Sequence, residues 1–370
     1  MHGLFGLPQE LLDRIIELSL LVERLPPSFI PDSTTGCGRT AYTATQHFDS
    51  RSSAQEYIMY EDPAPEISNA APLSLTSRRL RNTTRDAIAR ILASPDGLVF
   101  KLDLILVNER EVWPTWICVP ALARKVRRVD VTLRIFGADA AVVQGALYTN
   151  HRQQTLNPLS VTDGHSSSLV WRFYYLLEHF LRQGLVSTPV TNNAPNSGLV
   201  VDCIDIHVIQ SDAAEDLAKG VQYDSWIRAR QQRPYMRREQ PLYPESDELK
   251  KAVICTVPMR ASWLAQFLRS NLIVLLSMGH SAALYGMILH KRIGQFRFLV
   301  DGQPFGAEES VHPGKILKKL NYTNPSETMG HLPVSERLDA FREWKQQAMQ
   351  MRIERGWDVQ ETTTPNNSSH

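Results

Sequence analysis

The sequence is poor in the residues that mark specialised classes of protein. Its 370 residues include only four cysteines, at positions 37, 118, 203 and 255, with no C-x-x-C pair and no histidine at ligand spacing. Such scattered cysteines favour unpaired thiols in a reducing compartment over a zinc site or a disulfide framework. We therefore predict no metal site.

An excess of charge of one sign is also missing. The 40 Lys and Arg residues balance 39 Asp and Glu residues, so overall charge favours neither a nucleic-acid partner nor an anionic membrane.

Residues 271–289 carry no charged side chain, but Ser277, Gly279 and Gly286 interrupt them. A bilayer span needs about 20 predominantly apolar residues in succession. We expect a buried helix, bent or broken near Gly279, and no membrane partner.

Motifs that carry chemistry are absent from the sequence too. It has no glycine-rich phosphate loop and no nucleophile elbow. Asp202, Asp205 and His207 lie on one predicted strand, where Asp205 and His207 share a face and could form an acid/base pair. Because no nucleophile or further ligand accompanies them, a polar cluster is the favoured interpretation. We predict a non-enzymatic protein without a cofactor.

Two aromatic segments are weaker candidates for a site. Residues 113–116, Trp-Pro-Thr-Trp, are predicted as a compact turn at the edge of a core, or as a binding groove if exposed. Residues 226–238 mix five arginines with Trp226 and Tyr235. A surface segment is favoured there over an RNA-binding patch.

What the sequence does contain is a strongly patterned helix close to its first residue. Pro8 suits a first helical turn, and the residues after it place apolar side chains on one broad stripe: Leu11, Leu12, Ile15, Ile16 and Leu18. A helix this short is not stable alone. Its stripe must therefore be buried against the rest of the chain or against a partner.

The remaining pattern predicts an α+β fold. Residues 25–66, rich in Pro, Ser and Thr, are predicted to form a flexible insertion, and 358–370 a disordered tail. Between them, one long or two short helices are predicted within 72–92. Strands are predicted at 99–107, 128–136, 199–209 and 296–300, and helices at 169–183, 213–230, 260–278, 282–292 and 335–355. This order predicts a small mixed sheet covered by helices in a body spanning 93–357.

Two segments together resemble a known family. Residues 7–16, LPQELLDRII, resemble the opening of an F-box, and residues 73–81, LSLTSRRLR, resemble its later part. Residues 102–109 and 113–116 resemble the body of F-box-like proteins that are common in filamentous fungi. The chain thus looks like a divergent F-box-like protein, with residues 1–92 as a helical module that the insertion interrupts.

The resemblance implies a function in protein interaction. It assigns five residues to the helix that faces a Skp-type adaptor, or to the support of that helix: Leu7, Pro8, Leu11, Ile15 and Ile16. The chain would then be a substrate receptor of a cullin-based ubiquitin ligase, with an unknown protein substrate, in the cytoplasm or nucleus. The alternatives are a structural or scaffold protein whose first helix packs onto its own body, and an uncatalogued enzyme in the α+β body.

Overall fold

The computed structural model describes most of the chain in segments. These are residues 6–27, 39–41, 57–61, 68–137, 159, 167–185, 198–209, 220–231, 254, 257–278, 283–306, 310–321 and 332–357. Within these ranges the chain forms nine helices and nine strands.

The first three helices form a small core of their own. They are α1 (Gln9–Leu20), α2 (Ala70–Thr76) and α3 (Arg78–Ala93), so the pattern at 72–92 is resolved as two helices. The Ser77 hydroxyl caps α3 by accepting a hydrogen bond from the Leu80 amide at 3.2 Å. Apolar side chains from all three helices pack together: Leu12, Ile16, Leu20, Ala70, Leu80 and Ala87.

A mixed sheet of seven strands forms the centre of the body. Its strands are β3 (Val99–Val107), β4 (Glu111–Cys118), β5 (Lys125–Phe136), β6 (Val200–Ile209), β7 (Ile293–Val300), β8 (Gln303–Pro304) and β9 (Ser310–Val311). The order is β4-β3-β5-β6-β7-β8, with β9 also paired to β7. Strands β3, β5, β6 and β7 run parallel, whereas β4, β8 and β9 pair antiparallel with their neighbours. The predicted α+β class is confirmed.

Six further helices in the described residues belong to the body. They are α4 (Ser168–Gln183), α5 (Tyr223–Gln231), α6 (Ala261–Leu276), α7 (Ala283–Arg292), α8 (Pro313–Lys319) and α9 (Val334–Glu354). Alternation along β5 sends Val129, Val131 and Leu133 into the main core, which α4 and α6 complete. Asp130, Thr132 and Arg134, which alternate with them, are polar, as the pattern predicts.

The structure corrects one prediction. Residues 113–116 are not a turn, because they lie inside the antiparallel strand β4. Within the span predicted as a flexible insertion, β1 (Arg39–Ala41) and β2 (Met59–Glu61) pair as an antiparallel ribbon. Ile58, next to β2, is buried and bridges to Val112 of β4. The other residues of the insertion, and the predicted tail at 358–370, lie outside the described residues.

The uncharged segment at 271–289 is divided as predicted. Helix α6 ends at Leu276 and α7 begins at Ala283, with 279–282 outside the described residues. None of the helices in the described ranges has the length and apolar character needed to cross a bilayer.

Candidate functional site

Helix α1 carries two apolar stripes, one buried and one exposed. Leu12, Ile16 and Leu20 recur every four residues and are at most 1% exposed, because they pack against α2 and α3. Leu11, Ile15 and Leu18, which we call the exposed stripe, are 53%, 38% and 52% exposed. Since each residue advances an α-helix by about 100°, the exposed stripe lies roughly a third of a turn from the buried one.

Ion pairs to α3 fix the rotation of α1. Arg90 of α3 donates a hydrogen bond to Glu17 at 2.7 Å and lies 3.7 Å from the carboxylate of Asp13. Gln9 donates to Asp13 at 2.8 Å on the same side. These partly exposed contacts are individually weak, but together they hold the polar edge of α1 beside α3. The exposed stripe is thereby turned away from α3.

Hydrogen bonds hold the segment that follows α1. The Asn69 side-chain amide donates to the carbonyl oxygens of Leu20 at 2.8 Å and Val22 at 2.9 Å. The Leu20 carbonyl is one that the last helical turn leaves unpaired. The Arg24 amide donates to the Ile117 carbonyl at 2.8 Å. The segment after α1 is therefore held in place.

This region is the richest in exposed aliphatic side chains within the described residues. Of the twelve large apolar residues that are exposed there, six lie between positions 11 and 25. They are Leu11, Ile15, Leu18, Leu21, Val22 and Leu25. Such a concentration on one short segment is typical of a surface that binds another molecule, whereas single exposed leucines are ordinary.

The residues predicted for partner binding are divided between surface and core. Pro8, Leu11 and Ile15 are exposed, Leu7 is half-buried, and Ile16 is sealed in the core of the three helices. Ile16 is thus placed as support for the helix and not as contact surface. Leu18 shares the exposed stripe but is not among the five residues predicted for partner binding; its position seven residues after Leu11 is the signal in the sequence that groups it with them.

The polar residues of β6 form ion pairs and not an acid/base pair. Asp205 is 5% exposed, accepts hydrogen bonds from the Nε and Nη2 groups of Arg297, and lies 3.8 Å from Arg128. The Cys203 thiol donates to Asp205 at 2.9 Å, and burial raises the pKa of that thiol to about 12. His207 shares the face of Asp205 as predicted, but no hydrogen bond joins the two in the described structure. Because its pKa is raised, the Cys203 thiol stays protonated and is not an activated nucleophile.

Asp202 belongs to a separate pair of contacts near the start of β6. Its carboxylate lies 3.0 Å from Arg127 and accepts a hydrogen bond from the Trp357 indole at 2.7 Å. Among the residues that the structure describes, no group of three His, Cys, Asp or Glu side chains could hold a metal ion.

The two aromatic candidates are both involved in packing. Trp113 is buried, and Trp116 is half-buried with its ring centroid 5.3 Å from that of Phe180 on α4. Trp226 and Arg230 are buried as well, and Arg230 pairs with the buried Glu109 at the β3–β4 turn. Residues 233–238 lie outside the described residues.

Comparisons with protein-family models, with curated proteins and with solved structures find no match to this chain. The functional proposal therefore rests on the sequence and the geometry of the molecule.

Proposed function

We propose that this chain is a non-enzymatic interaction protein whose exposed stripe on α1 binds a Skp-type adaptor. In the full form of the proposal it is an F-box-type substrate receptor of a cullin-based ubiquitin ligase, and the α+β body holds an unknown protein substrate. The observation that carries the proposal is the exposure of Leu11, Ile15 and Leu18 on a helix that is already anchored by its other apolar face.

The spacing of the exposed stripe suits a helix that docks into a groove. Its residues recur at i, i+4 and i+7, which places their side chains in one row along the helix. This is the pattern of anchors by which an amphipathic helix enters an apolar groove of a partner. Helix α1 need not fold on binding, because α2, α3 and Asn69 already hold it. Preorganisation of this kind lowers the entropic cost of association.

The apolar area is large enough to matter for affinity. Complete burial of one Leu or Ile side chain is worth about 1.5–3 kcal/mol. Because the three side chains are roughly half exposed, their remaining burial would contribute about 2–4 kcal/mol in all. At about 1.4 kcal/mol for each tenfold change, this corresponds to roughly 30-fold to 1,000-fold in affinity.

Co-purification of the full chain with a Skp-type adaptor tests the proposal. The wild type should recover the adaptor, and Leu11→Glu combined with Ile15→Glu should not, because two carboxylates would enter the apolar contact. Val274→Glu combined with Ile353→Glu is the matched control, since these aliphatic side chains are 51% and 57% exposed on the body. That control should recover the adaptor as the wild type does.

Two outcomes would contradict the proposal. If the wild type recovers no adaptor, the ligase assignment fails. If both double variants recover it equally, the contact does not use α1.

The scaffold alternative has one observation in its favour. Ile16, which the resemblance assigned to the adaptor-facing helix or its support, packs entirely within the chain. A wild type that binds no adaptor, while α1 remains protected from solvent exchange, would support that second candidate.

A further inference from the structure

A cavity lies inside the main core, between the apolar face of the large sheet and the helices α4 and α6. Its volume is about 150 Å³, and it is partly open to solvent. All four parallel strands contribute to its floor. Protein interiors are close-packed and hold few voids larger than one water molecule. Since water occupies about 30 Å³ in the liquid, this cavity has room for roughly five.

The chemistry of the wall disfavours water and charge. Its floor is aliphatic and aromatic, with Val131, Ile206 and Phe296 on adjacent strands. Glu61 is the one carboxylate among the described lining residues, and it lies 3.6 Å from the Arg39 guanidinium. Water in such a cavity would find few hydrogen-bond partners, and apolar cavities of this size stay dry and accept a molecule such as benzene.

Among the polar side chains in the described wall, which also include Tyr60, Glu61, Tyr174 and His179, Asn271 is the one carboxamide. Asn271 of α6 lines the cavity, and its amide nitrogen donates to the Phe267 carbonyl at 2.8 Å. No donor among the described residues reaches its carboxamide oxygen. A carboxamide oxygen beside an apolar cavity can accept a hydrogen bond from a hydroxyl or N–H group of a ligand.

Aromatic rings in the wall favour a flat ligand. Trp116 and Phe180 both line the cavity with their ring centroids 5.3 Å apart. Such rings present faces and edges that pack well against a further ring.

We propose that this cavity binds a small, uncharged molecule with the bulk of about one aromatic ring and a single hydroxyl donor. The apolar floor holds the ring, and the oxygen of Asn271 accepts the hydroxyl hydrogen. This site is separate from the exposed stripe of α1, so its failure would leave the proposed function unaffected.

Titration of the full chain with three ring compounds tests the proposal. The probes are p-cresol, toluene and benzoate, which differ in having a hydroxyl donor, no donor and a negative charge. By calorimetry, p-cresol should bind saturably and about five-fold more tightly than toluene, the difference being one hydrogen bond. Benzoate should not bind. Absence of p-cresol binding, or binding of benzoate as tight as that of p-cresol, would overturn the proposal.

Substitutions in the wall locate the binding. Val131→Phe and Ile206→Phe each fill the floor and should weaken p-cresol binding at least tenfold in protein whose circular dichroism is unchanged. Val274→Phe is the matched control on the exposed side of α6 and should bind as the wild type does. Equal binding by the filled variants would place the site elsewhere and overturn the proposal.

A change at Asn271 tests the hydrogen bond without altering the volume much. Asn271→Leu should bring the affinities for p-cresol and toluene to within about two-fold of each other, because the acceptor is gone. Retention of the five-fold preference would refute the role assigned to Asn271, even if the filled variants failed to fold.

Discussion

Adjacent leucines of α1 allow the division between its buried and exposed stripes to be tested by one matched pair of substitutions. Leu11→Ala and Leu12→Ala remove the same atoms from neighbouring positions of one helix. Leu12 is 0% exposed and packs within the core of α1, α2 and α3, whereas Leu11 is 53% exposed. A buried Leu→Ala change costs about 2–5 kcal/mol, because burial is lost and a cavity is left. An exposed one changes stability by less than about 0.5 kcal/mol.

Native-state hydrogen exchange measures this difference locally. A cost of about 3 kcal/mol corresponds to roughly a hundred-fold change in an opening equilibrium. Amide protection in α1 and α3 should therefore fall about a hundred-fold in Leu12→Ala and less than about three-fold in Leu11→Ala.

Amides of β5 provide the internal control for this measurement. The three-helix core is a cluster separate from the main core, so their protection should change little in either variant. Equal loss of protection in the two variants, or a larger loss in Leu11→Ala, would refute the division of α1 into two stripes.

Three further substitutions test ionisable side chains in the body: one in a buried ion pair, one in an exposed pair as its control, and one at a buried histidine. Arg230→Met leaves the carboxylate of Glu109 buried without this partner, so the free energy of unfolding measured by urea denaturation should fall by about 3–5 kcal/mol. Arg182→Met removes an exposed helical ion pair and should lower the free energy of unfolding by less than about 1 kcal/mol. Burial lowers the pKa of His290 to about 4, so the unfolded chain, with an ordinary histidine pKa near 6.5, takes up a proton first as pH falls. Stability should therefore decrease between about pH 6.5 and pH 4, and His290→Gln should make this decrease smaller; parallel curves for the two proteins would contradict the assignment.

The regular elements could be predicted because their periodicity is local. The strand predicted at 128–136 alternates between apolar and polar residues, and the structure extends it to Lys125–Phe136. The helix predicted at 335–355 is observed at Val334–Glu354, with Phe341, Trp344 and Ala348 buried on one side. In both cases the residues that decide the structure are close in sequence.

Strand β4 was missed because its sequence contains a proline. Pro114 cannot donate a hydrogen bond and ordinarily argues against a strand. Here β4 is the terminal strand in the order of the large sheet, where a missing donor is tolerated, and Arg39 donates to the Pro114 carbonyl at 3.2 Å. That contact comes from a ribbon 75 residues away in sequence, which local pattern cannot predict.

The exposed stripe of α1 could be predicted only in part for the same reason. The pattern of α1 identifies a broad apolar arc, but its division depends on Leu80 and Ala87 of α3, which cover Leu12 and Ile16 and leave Leu11 and Ile15 uncovered. The cavity could not be predicted from the local sequence pattern, because it depends on the distance between whole helices and the sheet.

Thiol labelling of α1 tests the central claim most directly, because it reports both whether the stripe is free and whether the adaptor covers it. In a chain carrying Cys37→Ser and Cys255→Ser, the two native thiols left, at Cys118 and Cys203, are buried, and burial raises the pKa of each. Ile15→Cys and Ile16→Cys then provide a matched pair.

We predict that Ile15→Cys reacts rapidly with iodoacetamide in the isolated chain and at least tenfold more slowly with a saturating Skp-type adaptor. Ile16→Cys, at a position 1% exposed in the wild type, should react slowly in both cases. Slow labelling of Ile15→Cys in the isolated chain, or a rate that the adaptor leaves unchanged, would contradict the claim that this helix presents a free surface to that partner.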